Sequence, residues 1–334
     1  MFRRTLTHRG GRSDHADIVS MVNYRLRKRD QILLAFIALL GLILVLNLPA
    51  TSVGVVSEMG AEGRPLCTSA DLSAVPQSVA DDAASLAARL FGRNRDKRCS
   101  FVDELLATYV RSQGKDLVIF FSPGGWGSGP MDLGRPWGSI LEGIRSRLSE
   151  YSVNSLILTY QRSTYGFMGC FEEFTQILRA YPSKAKVLAW RVRFLAEHSP
   201  GLKVVIIGES TGAQIGNEAM NILAGIPRVF GIEIGPPCWY PHQSTRQKLV
   251  LADNGKAADS FSRGDVFTIL KANLSDLLDG SKTLNDRGTI LKYLKAPGHD
   301  YWWDYPAVST RIMQFLEDVV GIGDQLTIAS ASGE

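Results

Sequence analysis

Histidine and cysteine are scarce in this chain: five His and four Cys in 334 positions. No C-x-x-C pair and no H-E-x-x-H occur, so the spacings that hold zinc on paired thiolates or on one helix face are missing. The phosphate-cradling G-x-x-x-x-G-K-[ST] is missing as well. Glu172-Glu173 has no carboxylate partner at a spacing that glycoside cleavage would need, and it suits a helix N-terminus instead. These gaps argue against metal, nucleotide and glycosidase chemistry, and no cofactor is expected. Positive charge is also short on most of the chain. Residues 1–30 hold eight Lys/Arg against Asp14, Asp17 and Asp30, a local balance of +5, whereas the other 29 basic and 30 acidic residues leave −1. A nucleic-acid-binding domain needs its positive charge on the folded part, which argues against that partner.

The basic head runs directly into Ile32–Leu46, fifteen apolar residues without a charge, extended by Leu48, Pro49 and Ala50. A bilayer core takes roughly 20 residues, so the stretch is at the short end of a membrane span. Read as a signal-anchor, Ile32–Leu48 holds the Arg-rich side in the cytoplasm and puts the rest outside, in the periplasm or its equivalent. Read as a signal peptide it would be cut near Ala50, although Leu48 is a poor residue at position −3. Both readings export the remainder. All four cysteines, Cys67, Cys99, Cys170 and Cys238, follow this segment. An oxidising compartment allows Cys67–Cys99 and Cys170–Cys238 disulfides, with four free thiols as the alternative.

Residues 51–75 are rich in Gly, Ser, Ala and Pro and read as a linker. Helical spacing of apolar residues follows at 77–91 and 101–112. From Asp116 the pattern changes to short apolar runs: Leu117–Phe121, Ser155–Tyr160, Val204–Ile207, Val229–Ile234, Leu249–Ala252 and Ile290–Leu294. Helical stretches intervene near 138–149, 183–197, 213–224, 264–278 and 306–319. Continuous apolar runs suit strands buried on both faces. The alternation predicts one α/β domain with a doubly wound, mostly parallel sheet. The expected layout is a basic head (1–30), a transmembrane anchor (31–50), a linker and helical pre-segment (51–114), the α/β domain (115–322) and a tail (323–334).

The chemistry gathers at Gly208-Glu209-Ser210-Thr211-Gly212. Val204–Ile207 precedes it as a strand, and Gln214–Leu223 follows as a helix. The glycines allow a turn too tight for side chains, which pushes Ser210 into a strained position above the sheet. The Ser210 oxygen also sits at a helix N-terminus, where a developing anion is favoured.

On these residues the stretch Asp116–Gly321 resembles the α/β-hydrolase superfamily, in particular its serine esterases and lipases. The resemblance implies the order nucleophile, acid, histidine. His8 and His15 precede the membrane stretch, His198 ends the helix before the nucleophile's strand, and His242 comes ahead of any suitable acid. His299 stands in the loop where the family places its base. For the acid, Gly255 ending the strand region points to Asp259; Asp253 at the strand end is the rival, and Asp265 looks like a helix N-cap. The resemblance also implies oxyanion donors at Thr211 and in Ser122-Pro123-Gly124-Gly125-Trp126-Gly127, from Gly125 or Trp126, with Pro123 where the family commonly has histidine.

Trp126, Trp137, Trp239, Tyr240, Tyr301, Trp302 and Trp303 are candidates for an apolar pocket or for core packing. The insertion between Arg162 and Pro182 is a candidate lid. The expected function is hydrolysis of a small-molecule or lipid ester, or a thioester, through an acyl-enzyme outside the cytoplasm. A peptidase, an acyltransferase or a non-catalytic envelope scaffold on the same fold are the alternatives.

Overall fold

The computed structural model describes residues 75–125, 136–160, 182–279, 289–291 and 294–321. All belong to the second of two compact units, Met1–Ser52 and Val53–Glu334. The basic head, Ile32–Leu48, the linker up to residue 74, the insertion at 161–181 and the tail at 323–334 lie outside the described residues. Among the described residues no helix is long and apolar enough to cross a membrane.

Five of the expected runs form one parallel sheet: β1 (Leu117–Ser122), β2 (Ser155–Thr159), β3 (Lys203–Glu209), β4 (Val229–Ile234) and β5 (Lys248–Leu251). Their order is β2-β1-β3-β4-β5. Alternate side chains of β1 and β3 enter opposite cores, as the two-residue period of a strand requires. Val118, Phe120, Val204 and Ile206 pack on one face with helices α1 (Gln77–Phe91), α2 (Arg95–Ser112), α4 (Pro182–His198) and α5 (Thr211–Ile222). Leu117, Ile119, Phe121, Val205 and Ile207 pack on the other with α3 (Pro136–Glu150) and α8 (Pro306–Val320).

The pre-segment helices are part of this core. Val79, Ala83, Leu86, Phe101 and Leu105 are buried in the same cluster as the strands. Helix α2 begins six residues before the expected 101 because Asn94 caps it, accepting from Lys97 N–H at 3.0 Å.

The run Ile290–Leu294 does not join the parallel sheet. It splits into β6 (Thr289–Leu291) and β7 (Leu294–Lys295), which pair antiparallel with each other. The reason lies in α7 (Val266–Asp279), where Asn273 grips the Lys295 backbone. Its side chain accepts from Lys295 N–H at 2.9 Å and donates to Lys295 O at 2.8 Å. Those backbone groups are thereby satisfied away from β5. A short helix, α6 (Ser260–Arg263), was also not expected.

The chain leaves β1 toward one sheet edge and returns at β3 to build toward the other. The order of strands therefore reverses between β1 and β3, and the carboxyl ends of strands at such a point are where open α/β sheets hold ligands. Ser122 pairs with Gly208 at this point.

If α1 and α2 belong to the cooperative core, Leu105→Ala should cost about 2–5 kcal/mol of unfolding free energy, as for other fully buried leucines. Denaturant titration of the full chain measures this. A cost within about 0.5 kcal/mol, typical of surface positions, would mean that the two helices merely lie against the sheet.

Candidate active site

The turn from β3 into α5 is built on backbone contact. A Cβ at Gly208 would lie 2.5 Å from Ala213 Cα, and one at Gly212 would lie 2.1 Å from Ser122 O. Neither position admits a side chain. Between them Ser210 takes φ 51° and ψ −121°. Among the described residues Ser152 is the only other non-glycine with positive φ. Such a conformation costs on the order of 1–3 kcal/mol and persists only where its surroundings enforce it. Ser210 N–H donates to Ile234 O at 2.8 Å, and the Ser210 side chain makes no capping bond to α5.

The glycine loop after β1 lies against this turn. A Cβ at Gly124 would be 3.1 Å from Ser210 Cβ. Both neighbours of Ser210 hold the loop: Glu209 Oε2 accepts from Gly124 N–H at 3.3 Å, and Thr211 Oγ1 donates to Gly125 O at 2.8 Å. Gly125 turns with φ 59°. Of the expected oxyanion donors, Thr211 and Gly125 are therefore brought together beside Ser210, and Trp126 lies outside the described residues.

Asp259, fully buried, is the carboxylate that meets His299: Oδ2 lies 2.8 Å from Nδ1. The same oxygen accepts from Tyr301 OH and from Ser262 Oγ, each at 2.8 Å. Oδ1 accepts from the N–H groups of Phe261 and Ser262 at 2.8 and 3.1 Å, so Asp259 also caps α6. Burial pushes this carboxyl upward, but the bond and charge of His299, the Ser262 N–H and the Tyr301 hydroxyl together hold it below the ordinary carboxylate value. Burial and then the Asp259 charge push the Tyr301 phenol far up, so it stays a donor.

The His299 loop is pressed onto the acid's loop. Ser260 N–H donates to Pro297 O at 3.0 Å, and a Cβ at Gly298 would sit 2.2 Å from Ala258 O. Asn254 donates to Asp300 O and Oδ1, both at 2.9 Å. The imidazole lies over Gly235, where a Cβ would be 2.7 Å from Cε1. Gly235 directly follows Ile234, whose carbonyl receives the Ser210 N–H, so Ser210 and His299 flank one strand end. Among the described residues no hydrogen bond joins the Ser210 hydroxyl to His299. Contacts of this kind often close only with substrate bound.

The rival residues lie elsewhere. Asp253 accepts from Gly255 N–H at 3.2 Å and faces Arg311 at 3.5 Å. Asp265 caps α7, accepting from Thr268 N–H at 3.0 Å. His242 meets Tyr240 O at 3.1 Å, and His198 lies on Phe194 with Asp82 at 3.4 Å. Among the described residues Cys99 and Cys238 are exposed free thiols; the partners expected for them, Cys67 and Cys170, lie outside the described residues.

The aromatic set divides. Trp137 stacks on Phe121 inside the core, and Tyr240 is buried with its OH on Glu233 at 3.3 Å. Tyr301 serves the acid, and Trp303 fills the space that a side chain at Gly143 would need. Trp302 and Trp303 also line an open hollow of about 540 Å³ with Ser139 and Glu142, a space that touches neither Ser210 nor His299. Trp239 remains partly exposed and meets Phe261 edge-on. Among the described residues no cluster of three or more His, Cys, Asp or Glu could hold a metal ion.

Ser262 and Glu209 are not among the sequence candidates, and Tyr301 is a candidate there only for a pocket or core packing, not for the partner of Asp259 that it is. An i, i+3 serine after an N-cap aspartate is a local signal that can be read in sequence. The approach of Tyr301 to Asp259 across 42 positions is not.

The depressed Asp259 pKa implies stability that is present above the unfolded value, about 3.9, and lost as pH falls through the lower folded value. Asp259→Asn should therefore lower Tm clearly at pH 7. The gap from wild type should narrow as pH falls from about 4 through the lower folded value, below which both side chains are neutral. A pH-independent gap in thermal melts would refute that account of the carboxylate.

No protein-family model matches the chain, and no curated protein matches it. Among solved structures it is similar to Trichoderma reesei cutinase in complex with a C11Y4 phosphonate inhibitor. That likeness has 13% identity and a TM-score of 0.34, over 57% of this chain and 82% of the cutinase chain. So low a score carries no argument about function, and the reading that follows rests on the side chains of this chain.

Proposed function

We propose that this protein is a serine hydrolase that cleaves a carboxylic ester or thioester through an acyl-enzyme. The observation that carries the reading is the strained Ser210 turn at the end of β3, beside the strand end over which His299 lies with Asp259 on its Nδ1. The Asp259 bond fixes His299 so that Nε2 is the nitrogen available as base. His299 would take the Ser210 proton as the oxygen adds to the carbonyl carbon. Thr211 N–H and the Gly125 region would hold the resulting oxyanion. Collapse of the tetrahedral intermediate expels the alcohol or thiol, which receives the proton from His299. Water activated by the same imidazole then releases the acid and restores Ser210. Asp259 steadies the imidazolium in both halves without taking its proton.

We place this chemistry outside the cytoplasm, with Ile32–Leu48 as the anchor, because the Arg-rich head before that stretch favours retention on the cytoplasmic side.

A fluorophosphonate probe should label the native protein, and Ser210→Ala should abolish the label. Equal labelling of both proteins, or none of either, would remove the hydrolase reading. His299→Ala should lower kcat/KM on a short chromogenic ester by about 10³-fold or more, whereas His242→Ala stays within about threefold. In the matching acid pair, Asp259→Asn should lose far more activity than Asp253→Asn, with folding of each checked by circular dichroism.

A further inference from the structure

Helix α7 is oriented against the usual pattern. A surface helix normally turns its apolar stripe inward and its polar side to water. Here polar Asn273 faces the protein and grips the Lys295 backbone. Four of its apolar residues face solvent: Phe267 is 83% exposed, Leu274 57%, Leu270 50% and Val266 43%. Positions 267, 270 and 274 fall on one side of a helix, a stripe about 10 Å long at 1.5 Å per residue.

The stripe is close to the candidate catalytic residues along the chain and in contacts. Helix α7 packs against α6, which Asp259 caps, and against β7, which leads through Ala296-Pro297-Gly298 to His299. Trp239, 44% exposed, meets Phe261 of α6 at 5.4 Å between ring centroids. Phe261 in turn meets the His299 ring at 4.9 Å. Apolar rings thus lead from exposed Trp239 to the imidazole.

Two observations select what covers the stripe. Its four side chains offer on the order of 400 Å² of apolar surface, about half of the ~800 Å² per partner that a stable protein interface buries. That area suits shallow insertion at a lipid interface, where apolar contact adds to an existing tether. The anchor proposed above, Ile32–Leu48, would be such a tether. Twenty-six residues, 49–74, separate Leu48 from Val75, a contour of at most about 95 Å when extended. A bilayer holding that segment is therefore always within range. Exposed Lys271 beside the stripe can keep its ammonium among headgroups while its stem lies along the apolar side.

We propose that Val266, Phe267, Leu270 and Leu274 form a phospholipid-docking surface, through which the site receives an ester presented at a membrane. The docking stands on the exposed stripe and the tether, and the substrate class rests on the hydrolase reading.

The test uses the full chain reconstituted in phosphatidylcholine vesicles that contain a phosphatidylcholine with a photoactivatable acyl chain. Cross-links should fall in the peptide carrying residues 266–274. The triple variant F267D/L270D/L274D should lower them about tenfold and slow hydrolysis of a vesicle-embedded ester by a similar factor. Fluorophosphonate labelling and turnover of a soluble short ester should stay within about twofold of wild type, because none of the three residues contacts the reacting groups. F267S, at the most exposed position, should shift both vesicle readouts in the same direction with less risk to folding.

Absence of lipid cross-links in that peptide would overturn the proposal. So would cross-links to a second copy of the chain, or a triple variant that cleaves the vesicle ester at the wild-type rate. Cross-links that persist in a protein lacking probe labelling would uphold the docking and refute the hydrolase reading, so the two failures are distinguishable.

Discussion

At the centre of the sheet, the start of α5 meets the end of β1 backbone to backbone, and the arrangement of the site depends on that contact. Gly212 stands where any Cβ would be 2.1 Å from Ser122 O, and Gly208 is closed off by Ala213 on the other side. Because the two backbones touch, β3 must turn into a helix within one residue. That residue, Ser210, is forced to positive φ. The same closeness brings the Gly124-Gly125 loop onto the serine, where Glu209 and Thr211 fasten it. Strain at Ser210 and the position of the loop share one cause, the absence of side chains at two glycines.

The second half of the site is organised by a buried charge rather than by sterics. Burying a carboxylate is costly unless its oxygens are fully engaged. Asp259 accepts from two backbone N–H groups and three side chains, and so becomes the fixed point to which α6, Tyr301 and His299 are oriented. Gly298 lets the histidine loop press onto the acid's loop, and Gly235 leaves room for the imidazole at the end of β4. The buried face of β4 carries a second such group. Glu233 lies 2.9 Å from Lys248 Nζ, which also donates to Asn217 of α5 at 2.7 Å. Burial raises the Glu233 carboxyl, with Lys248 and Tyr240 opposing the shift. This network links β4, β5 and the helix that begins after Ser210.

Outside the site, hydrophobic surface is handled in two ways. The faces of the central strands β1 and β3 are covered, by α1, α2, α4 and α5 on one side and by α3 and α8 on the other. On α7 the polar side is used for attachment, because Asn273 satisfies a backbone that the sheet does not reach. Apolar side chains are then left in solvent at the rim of the site.

Five strands were legible in the sequence because strands covered on both faces are mostly apolar, as the runs Val118–Phe121 and Val204–Ile207 show. Ser210 was legible because its glycines are required by local geometry, and His299 because so few histidines compete for its role. The rest depended on contacts that no local pattern encodes. Asp253, Asp259 and Asp265 all lie within thirteen residues, and each caps or turns its own backbone. Only the folding of the Ala296–His299 loop onto residues 258–260 brings one of them to the imidazole. The departure of Ile290–Leu294 from the sheet, the assignment of Tyr301 to the acid rather than to a pocket, and the outward face of α7 have the same origin. Side chains distant in sequence, Asn273, Asp259 and Phe261, reached those backbones and rings first, and satisfying buried polar groups outweighed hydrophobic pattern.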